Sequence, residues 1–294
     1  MANLSAKILS YPVETYIPMH SAVSVTTPEM YGTYLPTASP YMNTTVTVPT
    51  YDSTSNPQGA TGGSWRFDMP TSGNNKRIRT NTTTYGNQKV WDGQYGFGIW
   101  IKFNSFPTGT TTTLYPIFQT ARTSSFPGAG LTISGSLYTG TGVAIRHTLF
   151  GANPVLIASP QLNTWYYIVI RKNRITNGAT VWVNGVKVTT GTNTTFVEPV
   201  TSAETPYQID FGNGGTGTSA SAFSFNLCHA HLMDFDTFTD AVIADIYQAG
   251  ITSRTVKYYD GSSWQTSSAQ KVWNGTAWID WNAKKYDGTS WVTI

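Results

Sequence analysis

The chain has 294 residues, of which 11% are charged, with a formal net charge of +3 and one cysteine, Cys228. The charged share is less than half of the ~25% usual in soluble domains, and the small, scattered positive charge forms no basic stripe of the kind nucleic acid requires. A single cysteine excludes an intrachain disulfide and a cysteine-based zinc cluster, and no stretch approaches the ~18 apolar residues of a membrane helix.

Residues 1–60 read as an extended N-terminal arm. Prolines recur at positions 12, 18, 28, 36, 40, 49 and 57, interleaved with Tyr, Thr and Ser, and no helical or alternating period persists. A short extended piece at 44–48 could add to a sheet as an edge strand. Two arrangements are open for such a segment: it lies on another protein's surface, or it packs back on its own domain. The first ten residues lack the 7–15-residue apolar run of a secretory signal. The composition is rich in hydroxyl side chains, as on extracellular fibres, yet the expectation is synthesis in a reducing cytoplasm.

Residues 61–250 are expected to form one all-β unit. Runs of strand-forming residues fall at 65–69, 98–103, 114–118, 131–133, 142–146, 165–171, 180–183, 186–188 and 207–211, punctuated by Gly, Pro and Asn. Asn184-Gly185 supplies two residues tolerant of positive φ and predicts a tight hairpin between 180–183 and 186–188. Trp91 and Trp100 are assigned to the core. One helix is predicted over 240–249, capped by Thr239, with Asp240 at its positive end and Gly250 as its stop. Many short strands of this kind imply a sandwich or jelly roll. The order of four pieces resembles the laminin-G-like, concanavalin A-like sandwich: the strand at 97–102, the phrase at 162–170, the hairpin at 181–188, and the closing strand and helix at 230–247. That resemblance implies two packed sheets whose loops or concave face commonly bind glycans or proteins.

Catalytic chemistry finds little support. Some relatives of such sandwiches hydrolyse glycosides with a Glu-x-Asp-x-x-Glu strand, but this chain's four glutamates, Glu14, Glu29, Glu198 and Glu204, never stand in that pattern. Asp234 and Asp236 are the nearest approach to a carboxylate pair, and their place before the helix suits a turn or rim better. No nucleophile elbow or phosphate-binding glycine loop is present, so no enzyme is expected. His229 and His231 alternate on a strand and could reach one metal ion. The same parity carries Phe223, Phe225, Leu227, Met233 and Phe235, so two core histidines are the preferred reading. No cofactor is expected. A structural calcium on the sandwich rim is the one ion the resemblance suggests, with Asp68, Asp210, Asp234 and Asp236 as possible donors and none selected. Residues 211–222 form a glycine-rich candidate binding loop.

Residues 251–294 carry one phrase three times: Lys257-Tyr-Tyr-Asp-Gly-Ser-Ser-Trp264, Lys271-Val-Trp-Asn-Gly-Thr-Ala-Trp278 and Lys284-Lys-Tyr-Asp-Gly-Thr-Ser-Trp291. Asp-Gly and Asn-Gly favour a two-residue type I′ turn, so each copy is expected to be a small hairpin. Facing positions then place Lys257, Tyr259 and Trp264 on one side of the ribbon, with Lys271, Trp273, Trp278 and Lys284, Tyr286, Trp291 likewise. Isolated hairpins are marginal in water, so the rings either pack on one another or serve as stacking platforms for sugar. These repeats resemble those at the ends of bacteriophage tail-associated proteins. That resemblance, with the sandwich, implies a virion-surface protein. It would be tail- or baseplate-borne, non-enzymatic and homo-oligomeric, binding host-surface glycan through Tyr259, Trp264, Trp273, Trp278, Tyr286 and Trp291. Its arm would contact other virion proteins. The alternative is a head decoration protein whose arm clamps capsomers. Neither reading involves nucleic acid or membrane insertion.

Overall fold

The computed structural model describes residues 4–19, 31, 42–43, 49–69, 78–80, 95–106, 114–121, 130–134, 144–147, 155–173, 178–192, 208–211, 223–252, 256–259, 264–267, 271–273, 278–280, 284–286 and 291–293. The chain divides into two compact units, the first spanning Ala2–Ile251 and the second containing Thr252–Ile294.

The first unit is an antiparallel, two-sheet β-sandwich. It opens with helix α1 (Leu4–Leu9), followed by strands β1 (Val13–Ile17), β2 (Met42–Asn43), β3 (Thr50–Asp52), β4 (Ser64–Met69), β5 (Ile78–Thr80) and β6 (Tyr95–Ser105). Next come β7 (Leu114–Ala121), β8 (Gly130–Ser134), β9 (Ala144–His147), β10 (Val155–Ala158), β11 (Trp165–Asn173), β12 (Gly178–Val183) and β13 (Val186–Thr192). The unit closes with β14 (Gln208–Phe211), β15 (Phe223–Asp234) and helix α2 (Asp240–Ile251). The larger sheet runs β13-β12-β11-β6-β15-β4-β3, with β1 also paired to β15, and the smaller runs β10-β9-β8-β7-β14-β5-β2. Each strand expected from the sequence within 61–250 coincides with an observed one to within a few residues at its ends.

The interior follows from side-chain alternation. Phe97, Ile99, Ile101 and Phe103 of β6 are buried, as are Ile168 and Ile170 of β11, Phe67 of β4, and Phe225 and Leu227 of β15. They form one apolar cluster with Ile117 of β7 and Phe211 of β14 from the smaller sheet. Burying each such side chain contributes about 1.5–3 kcal/mol. Phe67 and Phe225, direct neighbours across the β4–β15 ladder, stack with ring centroids 5.2 Å apart. Asn184 and Gly185 have φ of 52° and 77° and join Val183 to its partner Val186, the primed turn that Asn-Gly predicts.

Two expectations need correction. Residues 4–19 are no irregular arm: α1 buries Leu4 and Ile8 one turn apart, and β1 extends the larger sheet by pairing with residues 230–233 of β15. All five residues of β1 are buried, so no alternation advertises the strand. The 44–48 piece lies outside the described residues, as does Trp91. Helix α2 is capped as expected, the Val242 N–H donating to Thr239 Oγ1 at 3.3 Å. It continues through Gly250 to Ile251. Gly250 is there for space: a Cβ would lie 2.1 Å from Trp100 Cζ2.

Trp100 is fully buried and stacked on Tyr167 and Tyr247, with centroids 5.1 and 6.0 Å away, so it has little freedom to retreat. Gly250→Ala therefore sets a helix-propensity gain of about 1 kcal/mol against overpacking of about 1–3 kcal/mol. The overpacking should prevail. Urea denaturation is expected to show a lowered midpoint with an unchanged slope, whereas a raised midpoint would mean the α2–Trp100 contact is looser than described.

Candidate functional site

The six aromatics singled out from the repeats lie on three hairpins: β16 (Val256–Tyr259) with β17 (Trp264–Ser267), β18 (Lys271–Trp273) with β19 (Trp278–Asp280), and β20 (Lys284–Tyr286) with β21 (Trp291–Thr293). Each hairpin is its own two-stranded sheet. The register places Tyr259 opposite Trp264, Trp273 opposite Trp278 and Tyr286 opposite Trp291. The expected pairs therefore share a face of each ribbon. The register itself is offset by two residues from that of a two-residue Asp-Gly turn, which would set Tyr259 opposite Ser262. Parity survives because a shift of two preserves the face.

His229 and His231 belong to the core, and the face they were expected to share does not exist. Strand β15 carries a bulge here: Cys228 pairs with Trp100, yet His231 rather than Ala230 pairs with Gly98. The extra residue is accommodated by His229 in the left-handed region, at φ 53°, uncommon for a residue with a Cβ. The His229 N–H donates to the Pro18 carbonyl at 2.9 Å, and its Nδ1 lies 2.6 Å from the Tyr16 hydroxyl. Past the bulge the side-chain parity inverts. His231 stands with Gly98 and Trp100, where a Cβ on Gly98 would meet its Nε2 at 2.4 Å.

His231 Nδ1 donates to the His229 carbonyl at 2.8 Å, which leaves Nε2 to accept the Tyr167 hydroxyl at 2.8 Å. This is a neutral imidazole in a sealed position. Burial drives its pKa down to about 4, against a smaller opposing pull from the His229 carbonyl. Burial likewise pushes the Cys228 thiol and the Tyr167 hydroxyl up, so neither is poised for chemistry.

The acidic residues do not converge. Asp68 pairs with Arg66 at 2.7 Å, and Asp210 lies on β14 in the other sheet. Asp234 ends β15, and its carboxylate accepts the Asp236 N–H at 2.9 Å, an Asx turn leading into α2. Among the described residues no group of three His, Cys, Asp or Glu could hold a metal ion. Of the loop at 211–222 only Phe211 is described.

The sequence reading missed a polar row on the outer face of the larger sheet, beyond the end of α2. Thr50, Arg66, Asn226, Lys102 and Trp165 are successive cross-strand partners on β3, β4, β15, β6 and β11. Asn226 is fully buried and is the hub of the row. Its Nδ2 donates to Asp52 Oδ2 at 3.0 Å and Ser64 Oγ at 2.7 Å, and its Oδ1 accepts from Asn104. Burial would raise the Asp52 pKa, but hydrogen bonds from Thr54 and Asn226, with Lys102 nearby, hold it below the usual carboxylate range. No sequence motif marks this row, because its members are single residues on five separate strands.

No protein-family model matches the chain, and no curated protein matches its sequence. Similarity is confined to shape. An HCR/D mutant superposes with a TM-score of 0.53 at 13% identity, over 85% of this chain and 55% of that one. The binding domain of botulinum neurotoxin serotype D/C superposes with a TM-score of 0.53 at 10% identity, over 83% and 53%. Trypanosoma rangeli sialidase gives 0.51 at 12% identity, over 80% of this chain and 32% of the enzyme. The chain thus spans about half the length of the first two structures and a third of the sialidase. At these identities the likeness defines the fold, an all-β sandwich.

The depressed pKa of His231 makes stability depend on pH in a definite direction. Between about 6.5 and about 4 the unfolded chain takes up a proton that the folded chain refuses. The stability present above pH 6.5 should therefore fall as the pH drops to 4, by about 3 kcal/mol at most. Thermal melts across this range check it. The loss should be smaller in His231→Gln, and an equal loss in that variant would assign the effect to other groups.

Proposed function

We propose that this chain is a non-enzymatic bacteriophage virion protein, exposed on the tail or baseplate, that binds host-surface glycan. The observation that carries the reading is the threefold hairpin register, in which each copy sets a Tyr or Trp directly across from a Trp. Repetition of one aromatic pair suits ligands that themselves repeat. Weak stacking contacts multiplied over three hairpins and several copies gain avidity of about 10²–10⁴ over a single site. The sandwich supports the same reading, since its shape is shared with a toxin binding domain and with a sialidase solved with 2,3-difluorosialic acid. The protein would be made in the host cytoplasm and act without a cofactor, as a homo-oligomer. Any contact with other virion proteins would come from parts of the arm beyond residues 4–19, because those residues are occupied in the chain's own sheet.

Immunogold labelling of intact particles, with antibody against residues 61–250, tests the placement. Sparse gold at the tail tip is expected. Dense gold over the head would reassign the protein to capsid decoration, and unlabelled particles would end the virion reading. Release of reducing ends from host cell-wall polysaccharide would show an enzyme instead.

A further inference from the structure

The outer face of the larger sheet holds an arrangement of polar groups that the fold itself does not explain. Lys102 is half-buried beside Trp165, its Nζ 5.8 Å from the ring centroid. That is the outer limit of a cation–π contact, so the ammonium lies over the ring and is held there only weakly. Among the described residues Lys102 makes no hydrogen bond and no ion pair. Burial lowers its pKa, offset in part by Asp52. Its described partners are the Trp165 ring and the Asp52 charge, so its N–H groups remain available to a ligand. Asp52 is already committed, with Oδ1 accepting from the Thr54 N–H and hydroxyl and Oδ2 accepting from Asn226.

Asn104 stands next to Lys102 and is placed by a bulge. Phe225 pairs with Phe103 and Ser224 with Ser105, so Asn104 is the extra residue of β6. Bulges re-aim side chains and are common beside binding sites. One amide hydrogen of Asn104 holds Asn226, leaving its other N–H and its Oδ1 open among the described residues. The 159–164 connection completes the surround. It contains two non-glycine residues in the left-handed region, Ser159 and Asn163, at φ 57° and 58°. The Asn163 N–H is tied to the Phe103 carbonyl at 2.7 Å, and Leu162 is 44% exposed next to it. Trp165, Lys102, Asn226 and Arg66 span three strand spacings, roughly 14 Å.

We propose that this face, with Trp165, Lys102 and Asn104 as its contact residues and Asn226 as the buried hub that fixes them, binds a neutral oligosaccharide. The ring offers a platform for the C–H face of a pyranose. The ammonium supplies donors, and the Asn104 amide supplies a donor and an acceptor side by side, which matches adjacent hydroxyls. Charge decides against an acidic polymer: Lys102 and Arg66 are balanced by Asp52 and Asp68, so a polyanion gains no net attraction. The site rests on the glycan-binding reading above but is distinct from the hairpin aromatics.

The test uses the full chain, with calorimetry and saturation-transfer NMR against neutral tetrasaccharides (β-1,4-glucose, α-1,4-glucose, β-1,4-N-acetylglucosamine) and a β-1,4-linked uronate tetrasaccharide. Binding of at least one neutral tetrasaccharide is expected, insensitive to salt. Lys102→Met and Trp165→Phe should each weaken it about tenfold or more, a loss of about 1.4 kcal/mol. The hairpin triple variant Trp264→Ala, Trp278→Ala, Trp291→Ala removes the other aromatic set, so the losses from Lys102→Met and Trp165→Phe should persist when measured in that background. Lys102→Met keeps the aliphatic stem and removes a half-exposed ammonium that makes no hydrogen bond among the described residues, so its thermal midpoint should stay close to that of the parent. Loss confined to the hairpin variant, binding of the uronate alone with steep salt dependence, or binding of no tetrasaccharide would each overturn the proposal. Adsorption of the same variants to host cells separates the two ideas: adsorption that survives Lys102→Met and fails in the hairpin variant removes this site and leaves the host-glycan reading intact.

Discussion

One extra residue in β15 sets the path of the central strand, and the packing on both sides of it follows from that bend. The strand is twelve residues long and changes partner midway on one side, from β4 at residues 223–227 to β1 at 230–233. The bulge at His229 falls between the two. A left-handed residue that is not glycine costs about 1–3 kcal/mol, so it persists only where its surroundings fix it. Here they do so through the Pro18 carbonyl, the Tyr16 hydroxyl and the Nδ1 proton of His231. The N-terminal segment is thus part of the reason the central strand bends. Removing it would strip both a neighbouring strand and two of the three ties on His229.

The same bend sets what lies under α2. Because parity inverts past the bulge, His231 comes to the helix side and meets Tyr167, and the sheet must be thin there. Gly96 and Gly98 provide that: a Cβ on either would collide with Phe238 or His231. Arg171, half-buried on the same side, donates to the Phe235 carbonyl at 2.9 Å and lies 4.1 Å over the Phe235 ring. It holds the turn that feeds the helix. His231 and the Tyr167 hydroxyl satisfy each other in this layer, while Trp100 Nε1 and Arg171 Nε are buried without a hydrogen-bond partner among the described residues, each at a cost of about 1–3 kcal/mol. The outer face differs in that the donors of Lys102 and Asn104 stay within reach of a ligand.

Much of this was legible in the residues, and the failures have physical causes. Asn184-Gly185 announces its turn because both positions need positive φ. The strands of 61–250 are legible because β-branched and aromatic runs are bounded by glycine and proline. Residues 4–19 take the second of the two arrangements open to the arm, packing back on their own domain, but their helix and strand are not legible, because β1 is buried on both faces and carries Glu14 and Thr15 among its five residues, so neither alternation nor a hydrophobic run marks it. His229 and His231 are core residues, as their parity with the apolar side chains implies, but the face they should share is lost because the two-residue period holds only without a bulge, and a bulge centred on His229 carries no glycine to betray it. Gly250 was taken for a stop signal when its role is to admit Trp100, a partner 150 residues away in sequence. The Asn226 row is invisible for a related reason: its members are related only through cross-strand register.

The hairpins pose a different problem, one of stability. A two-stranded ribbon of three or four residues a side is marginal alone, and among the described residues each copy pairs with itself alone. What the repeats share is an aromatic pair at the same register position, worth about 0.5–1.5 kcal/mol where two rings meet. That is too little to fold a hairpin and enough to bias one already held by neighbours. Residues 252–294 belong to one compact unit, and packing and sugar stacking would draw on the same six rings. The sandwich differs in this respect. Its core draws on the outer row through Trp165, which packs against it, and through the Asn104–Asn226 hydrogen bond, so of the three contact residues only Lys102 takes no part in the core or in the fold's own hydrogen bonds.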